Sequence, residues 1–175
     1  MLSLLLILIL CPLILIVLFI AAKDTRSSGL FLQKRVGLNA ELFTILKVKT
    51  MREPHKTISN IGAFLRQTKL DELPQLFNIL IGQMSFVGPR PDVVGFADLL
   101  EGEDRLILTV RPGLTSPAAI KYSNEETLLA KQENPDQYNR DVIWRDKVIM
   151  NLDYIRNWTF WEDIRCLLKT LKLIK

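Results

Sequence analysis

The sequence contains few of the residues that enzymes most often use for acid–base or metal chemistry. His55 is the only histidine in 175 residues and lies beside Pro54 in a polar segment, where we expect a surface histidine rather than part of a triad or zinc site. Cys11 and Cys166 lie in an apolar run and in a basic tail, which excludes a disulfide framework and predicts a reducing compartment. Glycine-rich phosphate loops of the P-loop or dinucleotide type are absent too.

Charge is missing from the first 22 positions, where only Ser3, Cys11 and Pro12 interrupt the apolar residues. About twenty helical residues cover a hydrocarbon core of roughly 30 Å, so this segment is predicted to lie in lipid. A cleaved signal is disfavoured because no basic residue precedes the run. Pro12 leaves two alternatives open, a kinked single span or a re-entrant helix. The basic flank at Lys23 and Arg26 predicts that residues 23–175 are cytoplasmic.

The rest of the chain predicts one mostly helical α+β domain, residues 23–175, after a membrane segment of residues 1–22. Two β-compatible runs, Leu30–Val36 and Leu42–Val48, flank a short turn and predict a β-hairpin. Apolar spacing then predicts a helix from Ile58 to Arg66 and another through Leu73 and Leu80, with Pro74 in its first turn. Asp71 and Glu72 are therefore expected at a helix N-terminus.

Proline and glycine mark two constrained loops, 84–91 and 111–115, of the kind that carry binding residues. Residues 121–137 are polar enough for a solvated excursion, and helical spacing resumes at Asp141. The tail from Trp158 to Lys175 is a basic, Trp-bearing amphipathic segment. It is interpreted either as an interfacial membrane helix or as an ordinary helix packed on the core.

The candidate reactive groups are carboxylates and fixed cations. Asp71 and Glu72 are suited to phosphoryl transfer, although an Asp-Glu pair at a helix start is more often a cap. Adjacent helical residues point in different directions, so the two carboxylates are expected to have different roles. Cationic side chains that could hold a diphosphate occur in turns and loops, namely Lys47, Lys49, Arg66, Arg90 and Arg111.

Several ordered motifs together resemble the bacterial sugar transferases, also called monotopic phosphoglycosyl transferases. They are Lys34-Arg35-Val36-Gly37-Leu38-Asn39, Lys47-Val48-Lys49-Thr50-Met51, Leu70-Asp71-Glu72-Leu73-Pro74-Gln75-Leu76-Phe77-Asn78, Ser85-Phe86-Val87-Gly88-Pro89-Arg90-Pro91, Arg111-Pro112-Gly113-Leu114-Thr115 and Arg156-Asn157-Trp158-Thr159-Phe160-Trp161. Each motif is weak by itself, but their order and spacing form a specific signal. The resemblance covers essentially the whole chain.

The resemblance implies a re-entrant helix broken at Pro12 and transfer of a sugar-1-phosphate from a UDP-sugar to polyprenyl (undecaprenyl) phosphate. Asp71 would attack the β-phosphate, UMP would leave, and the covalent phosphosugar would pass to the lipid. Glu72 would act as a base or organise the metal site, and Mg²⁺ is expected, with Asp71 and Glu72 as its ligands. The implied substrate-binding residues are Lys47, Lys49, Thr50, Arg66, Pro89, Arg90, Pro91 and Arg111.

The resemblance also implies where the protein acts, namely at the cytoplasmic face of the bacterial inner membrane, in the first membrane step of glycan assembly. Its partners would be the donor, the lipid acceptor and the bilayer, with no nucleic acid and with a homo-oligomer left open. The chain departs from the family pattern at Lys49, usually arginine, at Ser116, often glycine, and at its start, which has no basic and aromatic stretch. It resembles the minimal catalytic unit. The alternative function is a non-catalytic membrane-tethered scaffold of a polysaccharide assembly complex.

Overall fold

The computed structural model describes residues 1–55 and 57–174. The helices are α1 (Leu2–Thr25), α2 (Asn60–Gln67), α3 (Gln75–Leu80), α4 (Pro117–Lys121), α5 (Glu125–Leu129), α6 (Pro135–Tyr138), α7 (Arg145–Arg156) and α8 (Phe160–Thr170), with a π-helical segment at Asn139–Trp144. The strands are β1 (Leu30–Val36), β2 (Leu42–Val48), β3 (Met51–Arg52), β4 (Thr57–Ile58), β5 (Ser85–Val87) and β6 (Gly113–Thr115). Single 3-10 segments lie at Leu38–Ala40, Leu70–Glu72, Ala97–Leu99 and Gly102–Thr109. The predicted α+β class is confirmed.

The chain divides into two compact units. The first comprises Met1–Arg35 with Leu42–Met84, and the second comprises Val36–Glu41 with Ser85–Lys175. Each unit has its own buried apolar side chains. In the predicted basic tail, Lys175 lies outside the described residues.

Helix α1 supplies one wall of the first unit. Its buried side chains recur along a single stripe, at Ser3, Ile7, Ile14, Val17, Ala21 and Thr25. Val17 and Ala21 pack with Val48 of β2 and Leu65 of α2. Pro12 lies inside the helix, which continues on both sides of it. Among the described residues, α1 is the one helix long and apolar enough to cross a membrane, and large side chains such as Leu8 and Phe19 are exposed on its other faces.

The predicted hairpin is confirmed, because β1 and β2 form a two-stranded sheet with the predicted bounds. The next helix starts later than expected. Ile58 pairs with Met51 between β3 and β4, and the Ser59 side chain then caps α2 by accepting a hydrogen bond from the Gly62 N–H at 3.0 Å. A serine cap satisfies a backbone donor that would otherwise lack a partner, which is why α2 begins at Asn60.

In the second unit the two predicted loops prove to be partners. β5 pairs with β6 in parallel, with Ser85 opposite Gly113 and Val87 opposite Thr115. Ser116 follows β6 and is completely buried, and its hydroxyl caps α4 by accepting from the Ala119 N–H at 3.0 Å. The serine that departs from the family pattern therefore has a structural role here.

Helices α7 and α8 complete the second unit. Val148 and Leu152 of α7 pack with Ile107, while Tyr154 packs with Cys166 of α8. No residue from 121 to 137 is buried, which confirms the solvated excursion, although short helices within it were not predicted. The exposed ring of His55 and the two free cysteines also agree with expectation.

Candidate functional site

Asp71 and Glu72 lie in the 3-10 turn Leu70–Glu72, which leads into α3. Lys69 precedes the turn with a left-handed backbone (φ 60°), and Pro74 then separates the pair from α3, which begins at Gln75. The two carboxylates thus lie in the first turn of a helical segment, as predicted, although that turn is 3-10 and α3 itself begins only at Gln75. The turn draws both side chains inward, leaving Asp71 8% exposed and Glu72 7% exposed.

Burial controls the electrostatics of Asp71. Desolvation, followed by the neighbouring Glu72 charge, raises the pKa of the Asp71 carboxyl, while Lys47, Lys69 and Arg66 oppose the rise. The expected stabilisation of the ionised form by a helix N-terminus is therefore not the dominant influence, since burial penalises a charge more strongly. No described residue donates a hydrogen bond to the Asp71 Oδ1 atom, which is itself fully buried.

Glu72 has a different environment from Asp71. Its Oε1 atom lies 3.5 Å from the Lys47 ammonium, and both side chains are largely buried. Lys47 comes from β2, so strand and turn meet at this contact. Lys47 therefore forms an ion pair with Glu72, whereas it acts on Asp71 through its charge alone.

Arg66 and Thr50 form the second polar contact of this unit. The Arg66 Nε atom donates to Thr50 Oγ1 at 2.9 Å, which fixes the guanidinium of α2 against the end of β2. Close approach of the two elements depends on Gly62, because a Cβ there would lie 2.3 Å from the Thr50 carbonyl oxygen. Lys49 is held through its backbone, which donates to the Gly29 carbonyl at 2.6 Å.

The structure therefore brings together one group of the predicted site residues, Asp71, Glu72, Lys47 and Arg66 with Thr50. Two buried amides in the same unit were missed by sequence reasoning. Asn78 is 1% exposed and joins α3 to β2, and Gln75, also 1% exposed, has no acceptor for its Nε2 atom within the described chain. Polar side chains on the buried face of a short apolar helix were the available signal.

The other predicted substrate-binding residues belong to the second unit. Pro89 and Pro91 are buried, Arg90 is half-buried and Arg111 is exposed. Their loops are tied by paired backbone bonds, since the Gly88 N–H donates to the Thr115 carbonyl and the Gly113 N–H to the Pro89 carbonyl, both at 2.9 Å. Arg90 Nη1 also donates to the Leu114 carbonyl at 3.4 Å. Arg90 and Arg111 are thus carried by one paired element.

A comparison with known protein families decides what kind of chain this is. A family model described as bacterial sugar transferase matches residues 1–175. The chain belongs to the bacterial sugar transferase family. The motifs that carry the family resemblance form three local structures in this chain: the turn at Asp71, the β1–β2 hairpin and the paired loops.

Curated relatives of this bacterial sugar transferase chain carry related names. It is 35% identical to the undecaprenyl-phosphate glucose phosphotransferase of Komagataeibacter xylinus, over 97% of this chain and 34% of the relative. It is 34% identical to the UDP-glucose:undecaprenyl-phosphate glucose-1-phosphate transferase of Klebsiella pneumoniae, over 95% of this chain and 37% of the relative. The protein of that name in Caulobacter vibrioides is 30% identical, over 91% of this chain and 61% of the relative. The chain thus spans about a third of the length of two of these relatives and under two thirds of the other.

The donor set of this sugar transferase suits a hard cation held jointly with a substrate. No group of three or more His, Cys, Asp or Glu side chains that could hold a metal occurs within residues 1–55 and 57–174. Mg²⁺ is usually bound by one or two carboxylates together with substrate phosphates, and it keeps several waters. Asp71 and Glu72 are two adjacent carboxylates, and Asp71 keeps 8% of its surface exposed. The residues present fit such an ion.

Proposed function

We propose that this protein is a phosphoglycosyl transferase that moves a sugar-1-phosphate from a UDP-sugar to undecaprenyl phosphate. The proposal agrees with the names of three curated relatives. All three names include undecaprenyl phosphate, and two of them also include UDP-glucose. Such a transfer is the first membrane step in assembling a bacterial glycan or polysaccharide.

The observation that carries the proposal is the buried Asp71 carboxylate, which has cations around it and an oxygen without a hydrogen-bond partner among the described residues. A poorly solvated carboxylate is a good nucleophile toward phosphorus, because it has little solvation to lose when it attacks. Glu72 is less suited to attack because its Oε1 already lies against Lys47.

The reaction proceeds in two displacements at the donor's β-phosphorus. In the first, an Asp71 carboxylate oxygen forms a bond to that phosphorus while the bond to the bridging oxygen breaks, and UMP leaves with the electron pair. In the second, an oxygen of undecaprenyl phosphate attacks the same phosphorus and the Asp71 carboxylate departs. Splitting the transfer means that two anionic substrates need not occupy one small site together.

The basic residues bind and orient the anionic substrate. Lys47 and Arg66 reduce the negative potential around the carboxylate pair, and Lys49 and Thr50, which follow β2, would add further contacts to the substrate. Arg90 and Arg111, held on their paired loops between Pro89 and Pro91 and before Pro112, supply guanidinium groups for phosphate or nucleotide oxygens. When bound at Asp71 and Glu72, Mg²⁺ would supply neutralisation of the diphosphate and of the leaving group.

The protein works at the cytoplasmic face of the inner membrane, with α1 as a re-entrant membrane helix that turns at Pro12 and α8 in the headgroup layer. Exposed apolar side chains on most faces of α1 support its contact with lipid, and Pro12 near its middle is the residue at which it would turn. Support for the position of α8 comes from Trp158, Phe160 and Trp161, which are exposed, whereas Cys166 on the opposite side of α8 is buried. A helix with these two faces suits an interface between protein, lipid and water.

The test is incubation of purified protein with radiolabelled UDP-sugars, first without and then with undecaprenyl phosphate. We expect about one UMP per active site and one added phosphosugar mass on the Asp71 peptide without lipid, followed by labelled lipid when the acceptor is added. Asp71→Asn should abolish all three signals, and Asp98→Asn, an aspartate in the other unit, is the matched control. If the protein were instead a non-catalytic scaffold, the Asp71→Asn variant would keep its biological activity. UMP that appears only when the acceptor is present would replace the covalent route by direct displacement.

A further inference from the structure

Two buried polar atoms in the first unit lack partners, and they are of complementary type. Asp71 Oδ1 is an acceptor and Gln75 Nε2 is a donor, and neither forms a hydrogen bond to any described residue. Unpaired buried polar groups are rare in folded proteins because each has given up its hydrogen bonds to water. Two of them four residues apart call for a common explanation.

The backbone places the two residues on one face. Leu73 and Pro74, which lie between the 3-10 turn and α3, both have right-handed helical dihedrals, so the helical path is continuous from Asp71 to Gln75. Side chains four residues apart on such a path have Cβ atoms about 5–6 Å apart. The long Gln75 side chain can span that distance by rotating its terminal torsions.

The burial of the two carboxylate oxygens is unequal. Oδ1 is fully buried, but Asp71 as a whole keeps 8% of its surface exposed, which leaves Oδ2 as the oxygen that can face a substrate. Gln75 is 1% exposed, so a hydrogen bond from its amide to the carboxylate would come from the buried side. A donor on that side meets Oδ1 and does not compete with attack through Oδ2.

We propose that Gln75 is a positioning residue whose side-chain amide donates a hydrogen bond to Asp71 Oδ1 and so presents Oδ2 as the attacking oxygen. The inference rests on the proposed function for its catalytic consequence, but the hydrogen bond itself does not. In the aspartyl-phosphosugar, Oδ1 becomes the carbonyl oxygen of the mixed anhydride and still accepts the same bond. Gln75 thus holds one orientation of the Asp71 side chain through both displacements.

The first arm of the test needs no substrate. Thermal unfolding is measured for the protein, Gln75→Met, Asp71→Ala and the double variant, since Met has the length and flexibility of Gln without its donor. With Asp71 present, Gln75→Met should lower the unfolding temperature, because it leaves Oδ1 without a donor. With Asp71→Ala, the same change should leave the temperature equal or higher, because it removes an unpaired buried amide. Equal shifts in the two backgrounds would overturn the hydrogen bond.

The second arm measures UMP release from UDP-glucose and UDP-galactose without lipid. Gln75→Met should reduce the rate constant roughly tenfold or more while changing the KM for the donor little, since orientation of a nucleophile affects the chemical step. Gln75→Glu, which replaces the donor by an acceptor, should reduce it further. Asn151→Leu, which removes a buried amide in the second unit, is the control.

The outcomes separate the two proposals. If the unaltered protein releases no UMP from any UDP-sugar, the proposed function fails, and the unfolding cycle still decides whether Gln75 contacts Asp71. If the unaltered protein releases UMP and Gln75→Met does so at the same rate, the positioning role is wrong. If Gln75→Met shifts the unfolding temperature equally in both Asp71 backgrounds, the hydrogen bond is overturned and the amide has a structural role only.

Discussion

The side-chain oxygen of Asn78 accepts a hydrogen bond from the backbone N–H of Leu46 at 3.1 Å. The amide nitrogen of the same side chain donates to the Thr44 carbonyl and to Gln83 Oε1, both at 2.8 Å. One buried amide therefore anchors α3 to β2, one residue before Lys47, whose ammonium lies 3.5 Å from Glu72. The position of the cation beside the carboxylate pair depends on this anchor.

Replacing Asn78 by Leu should destabilise the protein by about 3 kcal/mol, because it removes three hydrogen bonds of a buried amide, two of them to the backbone of β2. Urea or thermal unfolding measures the change. Asn157→Ala is the control, since that side chain is exposed and its one hydrogen bond, to Asp153, should contribute less than about 0.5 kcal/mol. Similar losses in the two variants would show that Asn78 is not an anchor.

Replacing Gly113 by Ala should separate the two loops that carry Arg90 and Arg111. A Cβ at Gly113 would lie 2.1 Å from the Gly88 nitrogen, so the strands must move apart, at about 2 kcal/mol or more. Gly102→Ala is the control, because a Cβ at Gly102 would lie in open space. Gly102 has a left-handed φ of +56°, so the alanine should cost about 1 kcal/mol of backbone strain there. UMP release should fall in Gly113→Ala only. Equal destabilisation would mean that the close approach is unimportant.

Stability should depend on Asp146 in acid. Hydrogen bonds from Lys121 at 2.7 Å, and then from Tyr122 at 2.8 Å, lower the pKa of Asp146 below its usual 3.8. Burial raises the pKa of Tyr122 to about 12, so the hydroxyl keeps the proton that it donates to Asp146. A lowered pKa gives stability that is present above pH 3.8 and is lost as the pH falls through the folded-state value.

The Asp146→Asn protein should therefore be less stable than the unaltered protein by about 1 kcal/mol between pH 5 and 7, a modest figure because the group is partly exposed. The difference should shrink as the pH falls below 3.8, and unfolding measured at several pH values tests this. Asp141→Asn, at an exposed position on the π-helical segment, is the control. A difference that persists unchanged to the lowest pH would show that charge is not its origin.

Removal of divalent metal should abolish UMP release, and Mg²⁺ should restore it. Lys47 and Arg66 offset only part of the charge that a diphosphate would bring to Asp71 and Glu72. The assay is UMP release in excess chelator followed by titration with Mg²⁺, with thermal unfolding as the control for loss of fold. Full activity in excess chelator would remove the metal from the mechanism.

A cysteine at position 2 should be labelled from the cytoplasmic side if α1 is re-entrant. The measurement uses Leu2→Cys in a background without Cys11 and Cys166, with a membrane-impermeant thiol reagent applied to intact cells and to inverted vesicles. Reaction in inverted vesicles alone is the expected result, since both ends of a re-entrant helix share one face. Labelling only in intact cells would leave an ordinary span.

The sequence by itself determined the features that repeat over short distances. The uncharged run before Lys23, the hairpin of β1 and β2, and the solvated stretch after Lys121 were all predictable, because apolar runs, alternation and turn residues act on neighbouring positions. The family was also recognisable from ordered motifs. Asp71 and Glu72 were singled out together, from one of these motifs.

Only the tertiary structure decided what surrounds those residues. Lys47 contacts Glu72 although the two are 25 residues apart in sequence, and Gly88 contacts Gly113 at the same separation. No local sequence pattern predicts either contact. Burial of Asp71 reversed the expected influence on its pKa, because desolvation depends on every element packed around a side chain. The sequence analysis treated Asn78 and Gln75 only as parts of a motif. Packing made Asn78 an anchor and left Gln75, four residues after the proposed nucleophile, with an unpaired buried donor. Local sequence fixes periodicity, whereas distances between remote side chains arise only when the elements pack.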